Sequence, residues 1–267
     1  MSPTLKVKAR FACLLLLSAA FVAPAFAQQS TVDGFVARTY HSANGANGAT
    51  MPYRLFVPQN YDAAKKYPLV LWLHGAAGRG TDNLLQISAG NKIGSHAFTR
   101  PEVQAKHPAF VLAPQCPLDH YWTFSDAVSS GPQLDLAFEI LASIRKEFSI
   151  DPERLYVSGQ SMGGAGTWAA ITSHPNLFAA AVPLCAYGDV AKMKLVASLP
   201  IWVFQGDADE VVPVDRVRAT IAALRAAGGH PKYTEYPGVG HAVWEKAFLE
   251  PDLIPWVFAQ SRATNIK

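Results

Sequence analysis

The chain has 267 residues, half of them hydrophobic and 16% charged, which suits one α/β domain with a sizeable core and excludes a disordered or fibrous chain. Its formal net charge of +3 resides in residues 1–27, where Lys6, Lys8 and Arg10 stand without an Asp or Glu. Beyond them 20 Lys and Arg face 20 Asp and Glu, so the charge points to neither nucleic acid nor an anionic membrane as partner.

Residues 1–27 read as a signal peptide. A basic start is followed by the apolar run Phe11 to Val22, too short for a membrane span, and by the cleavage pattern Ala25-Phe26-Ala27. Cys13 lies inside the apolar run, away from the cleavage site, so a lipid anchor is not expected. Residues 28–267 form the single domain, and an exported, periplasmic or secreted, location follows.

Gln28 to Ser30 reads as a loose terminus. Gly34 to Ser42 alternates like an antiparallel strand, Asn44 to Gly48 is turn chemistry, and Met51 to Val57 returns. Pro68 to Leu73 is an unbroken apolar run, the pattern of a strand buried on both faces of a parallel sheet. It empties into His74-Gly75-Ala76-Ala77-Gly78-Arg79-Gly80. That loop lacks both phosphate-binding glycine patterns. Its other use is to aim a backbone N–H at an oxyanion.

Thr81 to Gly94 should hold one short helix. Ala109 to Ala113 is a second buried strand, followed by a loop with Tyr121, Trp122, Phe124 and Asp126. Leu134 to Phe148 has helical spacing, broken by Asp151-Pro152. Leu155-Tyr156-Val157 is a strand, and Ala165 to Ser173 a helix. Strands follow at Ala179 to Leu184, Ile201 to Phe204 and Lys232 to Tyr236. Val214 to Ala227 is a helix, and a terminal helix from Val243 is interrupted at Pro251 and Pro255. Strands alternating with helices imply βαβ units and a mainly parallel sheet.

Gly159-Gln160-Ser161-Met162-Gly163 joins one of these strands to its helix and fits the G-x-S-x-G nucleophile elbow. A serine needs an imidazole to take its proton. Asp207 and Asp209 follow one later strand, and Gly238-Val239-Gly240-His241 follows another. All these groups fall at the sheet edge where open α/β proteins place their sites. His41, His96, His107, His120, His174 and His230 have no partner at catalytic or metal-ligand spacing. No metal or cofactor is expected.

These motifs together resemble the α/β-hydrolase superfamily. Within it they are similar to secreted bacterial esterases of the predicted-peptidase, polyhydroxybutyrate-depolymerase-like and feruloyl-esterase-like group. The resemblance spans Tyr53 to the C-terminus. It rests on the His74–Gly80 loop, Ala113-Pro114-Gln115-Cys116-Pro117 with Trp122, Asp151 to Gly164, Gln205 to Pro213, and Gly240-His241 with Trp244. It implies an eight-stranded, mainly parallel sheet with antiparallel N-terminal strands, flanked by helices and without a large cap.

The resemblance further implies Ser161 as nucleophile, His241 as base and Asp209, in preference to Asp207, as acid. Gln205 stands where the family pattern carries His. The oxyanion donors would be the N–H groups of Met162 and of Ala76, or of Ala77 in its place, with His74 bracing the loop. Trp122 and Trp244 are the expected substrate-binding residues; Tyr121 and Tyr187 lie nearby, while Trp168 belongs to the core. The expected reaction is hydrolysis of a small-molecule or polymer-linked carboxylic ester through an acyl-enzyme, with no stable membrane anchor. A serine peptidase of prolyl-oligopeptidase type, an acyltransferase and a non-catalytic binding protein on the same scaffold are the other readings.

The family's strand order also bears on the two cysteines of the domain. It puts two strands between the one preceding Cys116 and the one preceding Cys185. Three spacings of about 4.8 Å separate such strand ends by roughly 14 Å, beyond disulfide reach. Both thiols should be free.

Overall fold

The computed structural model describes Met1 and residues 30–43, 49–124 and 129–265. The signal-peptide reading, the turn at 44–48 and Asp126 lie outside the described residues.

Among the described residues, nine strands form one mixed sheet. They are β1 (Thr31–Val32), β2 (Phe35–His41), β3 (Thr50–Phe56), β4 (Tyr67–Leu73), β5 (Phe110–Pro114), β6 (Ile150–Gln160), β7 (Ala180–Leu184), β8 (Trp202–Gly206) and β9 (Lys232–Tyr236). Their spatial order is β1-β2-β3-β5-β4-β6-β7-β8-β9. The first three strands and the β3–β5 pairing are antiparallel; every later pairing is parallel. The count exceeds the expected eight because of β1. A two-residue strand leaves no period to read, but its turn is explicit: Asp33 and Gly34 both take positive φ, at 49° and 83°. That is the conformation two-residue hairpin loops favour. Ser30, expected to be loose, is held by the N–H of Ala37 and by Arg54.

The helices are α1 (Lys92–Ala97), α2 (Pro101–Lys106), α3 (Pro132–Glu147), α4 (Met162–Ser173), α5 (Val214–Ala226), α6 (Trp244–Ala247), α7 (Leu253–Ala259) and α8 (Arg262–Asn265). Residues 81–91 make short 3₁₀ turns at Leu85–Ile87 and Ala89–Asn91 instead of a helix, and α1 begins only at Lys92. Ser88-Ala89-Gly90-Asn91 is too rich in small and turn-forming residues to sustain a ladder. The unforeseen α2 starts on Pro101, whose fixed φ and missing N–H suit a first helical turn. Pro255 lies in the first turn of α7 and does not break it. Among the described residues no helix is long and apolar enough to cross a membrane.

Alternation along the central strands builds two cores. On β4, Leu69, Leu71 and Leu73 face a cluster that includes Leu134, Ile140 and Ile144 of α3, Trp168 and Ile171 of α4, and Val217 and Ile221 of α5. Val70 and Trp72 face the other side, with Phe98, Val103, Phe248, Leu253 and Val257. All seven residues of β4 are buried, and covering both faces leaves the two strand edges as the places for function. Between β7 and β8 only one 3₁₀ stretch, Val190–Val196, intervenes, so no cap covers the C-terminal edge from that side.

Candidate active site

The elbow is built by close backbone approach. A Cβ on Gly163 would lie 1.9 Å from the Leu73 carbonyl oxygen, and one on Gly159 would lie 2.3 Å from that of Gly163. Only glycine fits either place, which is why the pattern flanks the serine as it does. The strand then turns into α4 within one residue. Ser161 takes φ 54°, ψ −118°, a conformation that β-carbon sterics disfavour and that persists only where the surroundings impose it. They do so here: the Ser161 N–H is 3.0 Å from the Leu184 carbonyl and 3.2 Å from Cys185 Sγ, and Ser161 O accepts the Ala165 N–H. Although Ser161 is the residue before α4, its side chain does not cap the helix.

The hydroxyl points elsewhere. Ser161 Oγ is 2.8 Å from His241 Nε2, and His241 Nδ1 is 2.8 Å from Asp209 Oδ2. A carboxylate only accepts, so the imidazole proton sits on Nδ1 and donates to Asp209. Nε2 is then free to accept the serine proton. Asp209 is fully buried at its side chain, whereas His241 keeps 22% exposure. The carboxylate is saturated. Oδ1 accepts the N–H groups of Val211 and Val212 at 2.8 and 2.9 Å, and Oδ2 accepts Gln205 Nε2–H at 3.0 Å besides the imidazole.

Asp207 has a different task. It is exposed, and its Oδ1 accepts the Gly238 N–H at 2.6 Å, fastening the loop that carries His241. Of the two acids the sequence offers, the structure brings Asp209 to the histidine.

Met162 opens α4 beside Ser161. Ala76 opens a 3₁₀ turn, Ala76–Gly78, and is exposed, as is Ala77. The preceding Gly75 abuts the elbow: a Cβ there would lie 3.4 Å from the Gln160 carbonyl oxygen. The Gly75 N–H donates to Asn91 Oδ1. His74, wholly buried, organises this loop from beneath. Its Nε2 accepts the Cys116 N–H at 3.0 Å, which leaves Nδ1 as the protonated nitrogen, donating to the Gly75 carbonyl at 2.7 Å. Burial lowers its pKa to about 4, because a charged imidazolium would lose its hydration there.

The two tryptophans fare differently. Trp244 lies edge-on to the His241 ring, centroids 5.7 Å apart, and is partly exposed. Its buried indole N–H has no hydrogen-bond partner among the described residues. Trp122, expected to meet substrate, is fully buried. Its indole N–H donates to the His74 carbonyl, and its ring stands edge-on to that of His74 at 5.0 Å. Trp122 is therefore a support of the His74 loop and not a wall of the site. Its neighbours Tyr121 and Phe124 are the exposed aromatics, at 54% and 55%. Trp168 is buried in the core, its N–H on the Ala186 carbonyl.

Cys116 and Cys185 are both unpaired and buried, and β4 and β6 stand between the strands that precede them. Two groups at the site escaped sequence reading. Cys185 sits behind the Ser161 amide with φ 42°, and Gln205 sits behind Asp209. For Gln205 the departure from the family's histidine was the available signal; for Cys185 there was none. The described residues hold no group of three or more His, Cys, Asp or Glu able to bind a metal. A groove of about 920 Å³, lined by Tyr67, Lys106, Arg154 and Phe258 among others, opens at the opposite strand edge and contains none of these residues.

A family model described as "Prolyl oligopeptidase family" matches residues 135–202. That span contains Ser161 but neither Asp209 nor His241. Among curated proteins, a probable carboxylesterase of Oryza sativa subsp. japonica is 28% identical over 79% of this chain and 84% of its own length. An uncharacterized secreted protein of Arthroderma benhamiae is 24% identical over 77% of this chain and 24% of its own. Among solved structures, a thermostable esterase superposes with a TM-score of 0.81 at 41% identity, covering 86% of this chain. This chain spans 64% of that esterase's length. The sheet order, the elbow and these likenesses agree on one fold.

Proposed function

We propose that this chain, an esterase-like α/β-hydrolase, is an exported serine carboxylic ester hydrolase acting through Ser161, His241 and Asp209. The observation that carries this reading is the unbroken hydrogen-bonded path from Ser161 Oγ through the imidazole to Asp209, with 2.8 Å at each step. Ser161 attacks the ester carbonyl as Nε2 takes its proton. Asp209 keeps the imidazole in the Nδ1–H tautomer and stabilises the imidazolium. The tetrahedral oxyanion rests on the N–H groups of Met162 and Ala76, preorganised by α4 and the His74 loop. The imidazolium then protonates the departing alcohol, and water repeats the steps on the acyl-enzyme.

Among the described residues only one 3₁₀ stretch lies between β7 and β8, and Tyr121 and Phe124 of the loop after β5 are exposed, which favours small or polymer-linked esters. The cleavage pattern before Gln28 and the likeness to a secreted protein support export. The match to the prolyl oligopeptidase model favours a second reading as a serine peptidase.

Both readings meet one test: wild type and Ser161→Ala assayed on p-nitrophenyl, acetyl-sugar and feruloyl esters and on peptide p-nitroanilides. Ester turnover should exceed amide turnover, and the variant should lose roughly a thousandfold or more in kcat. Near wild-type ester hydrolysis by Ser161→Ala would overturn the serine mechanism. A preference for anilides would favour the peptidase.

A further inference from the structure

We propose that Gln205 is a positioning residue for this reaction: its buried amide fixes the Asp209 carboxylate and tempers the oxygen on which His241 depends. The inference rests on the serine-esterase reading above.

Gln205 is the penultimate residue of β8 and has no solvent exposure. Its Nε2 faces three acceptors, Asp209 Oδ2 at 3.0 Å, the Val212 carbonyl at 3.0 Å and the Gly206 carbonyl at 3.3 Å. The opposite assignment of the amide would turn its oxygen onto a carboxylate and two carbonyls, so only the NH₂ end can face Asp209. The other end, Oε1, is buried without a hydrogen-bond partner among the described residues. Leaving that oxygen unsatisfied is unfavourable. The amide is thus arranged around the carboxylate and not around its own satisfaction.

The chemical consequence follows from sharing. Asp209 Oδ2 divides its negative charge between the Gln205 amide and the His241 N–H. Without the amide, Oδ2 has the imidazole alone, becomes the stronger acceptor, and holds the protonated imidazole more tightly. The carboxylate also loses the contact that fixes one of its oxygens.

Other charges around this pair are accounted for. The Cys185 thiol, which also faces Asp209, is kept protonated by burial. Asp207 is engaged by Gly238, and Glu210 is exposed. Glu235, in register with Gln205 on β9, is bound by Arg218 and Tyr233. Glutamine carries no charge at any pH, whereas the histidine of the family pattern would titrate here.

Three variants test this: Gln205→Met keeps length without a donor, Gln205→Glu keeps shape, and Gln205→His restores one N–H. Each is assayed on p-nitrophenyl acetate across pH, and the His241 Nδ1–H resonance is followed by proton NMR. Gln205→Met should lose about 10- to 100-fold in kcat with KM within about twofold, because the buried amide cannot reach substrate. Its acid limb of kcat/KM should move to higher pH, and the resonance should shift. Gln205→His should recover most of the rate above neutral pH. Gln205→Glu should add an ionisation to the profile, from two carboxyls competing for one proton, and decides the matter should the Met variant not fold. A folded Met or Glu variant with wild-type kcat, profile and resonance overturns the proposal. The resonance does not depend on turnover, so it is read equally in Ser161→Ala. Failure of the serine mechanism is thereby distinguished from failure of the Gln205 assignment.

Discussion

His74 and His241 stand at the same edge of the sheet, each beside glycines, and are treated in opposite ways. His74 is fully buried, and both its nitrogens are engaged by backbone groups, the Cys116 N–H and the Gly75 carbonyl. His241 is partly exposed, and both its nitrogens are engaged by side chains, Ser161 and Asp209. Backbone partners fix a loop, while side-chain partners with exchangeable protons leave a path for chemistry. Residue type does not separate the two; their hydrogen-bond partners do.

The comparison can be tested by asking which property each histidine controls. The largest effect belongs to the His241 side. Asp209→Asn should retain the fold but reduce kcat by about 10²–10⁴ with little change in KM, because an amide supports the wrong imidazole tautomer. Steady-state kinetics alongside thermal unfolding would check this. A variant with normal kcat and a lowered Tm would put Asp209 in the structural class with His74.

His74→Gln should show the reverse split. It should cost roughly 2–4 kcal/mol in denaturant unfolding, the range for breaking a buried hydrogen-bond network, while kcat of the folded fraction stays within about tenfold. Acid sharpens the contrast. The folded pKa of His74 is lowered to about 4 from 6.5, so between these values the unfolded chain binds a proton that the folded one refuses. Stability therefore falls as pH drops from about 6.5 to 4, by roughly 3 kcal/mol for this group, and is unaffected by it above 6.5. Unfolding measured at pH 7 and pH 4.5 should show that loss in wild type and a much smaller one in His74→Gln; equal losses would refute the assignment.

The smallest effect is expected at Asp207. Asp207→Asn keeps an acceptor for the Gly238 N–H, so kcat should change by less than about threefold. A loss comparable to that of Asp209→Asn would mean that the exposed acid takes part in the reaction.

What the sequence made legible were features with a strong local signature. Pro68 to Leu73 could only be a strand covered on both faces. Gly159 and Gly163 mark the elbow because nothing larger fits against Leu73. The preference for Asp209 over Asp207 comes from the family resemblance; in the structure Asp209 meets His241 Nδ1, while Asp207 meets the Gly238 N–H.

The misses have one physical source, that direction of burial is a tertiary property. Trp122 and Trp244 look alike in sequence, yet one turns under the His74 loop and the other stands beside His241. The Thr31–Val32 strand is set by its hairpin turn and not by any periodicity. The chain at Asp151–Arg154, read as a break, bulges out of an otherwise continuous β6, where register shifts between Tyr67 and Leu69. The Asp151 carboxylate binds Arg154 and the Glu153 amide to hold that bulge.

The two thiols carry a last consequence. Neither Cys116 nor Cys185 is cross-linked, both have no solvent exposure, and burial raises both pKa values, that of Cys116 to about 12. Thiolate, the reactive form, is nearly absent while the fold holds. Assembly of the domain thus needs no oxidant, and the finished fold shields both sulfurs from one. Cys185 lies 3.2 Å behind the Ser161 amide, so its alkylation by a maleimide would serve as a built-in clock for how often the elbow breathes open.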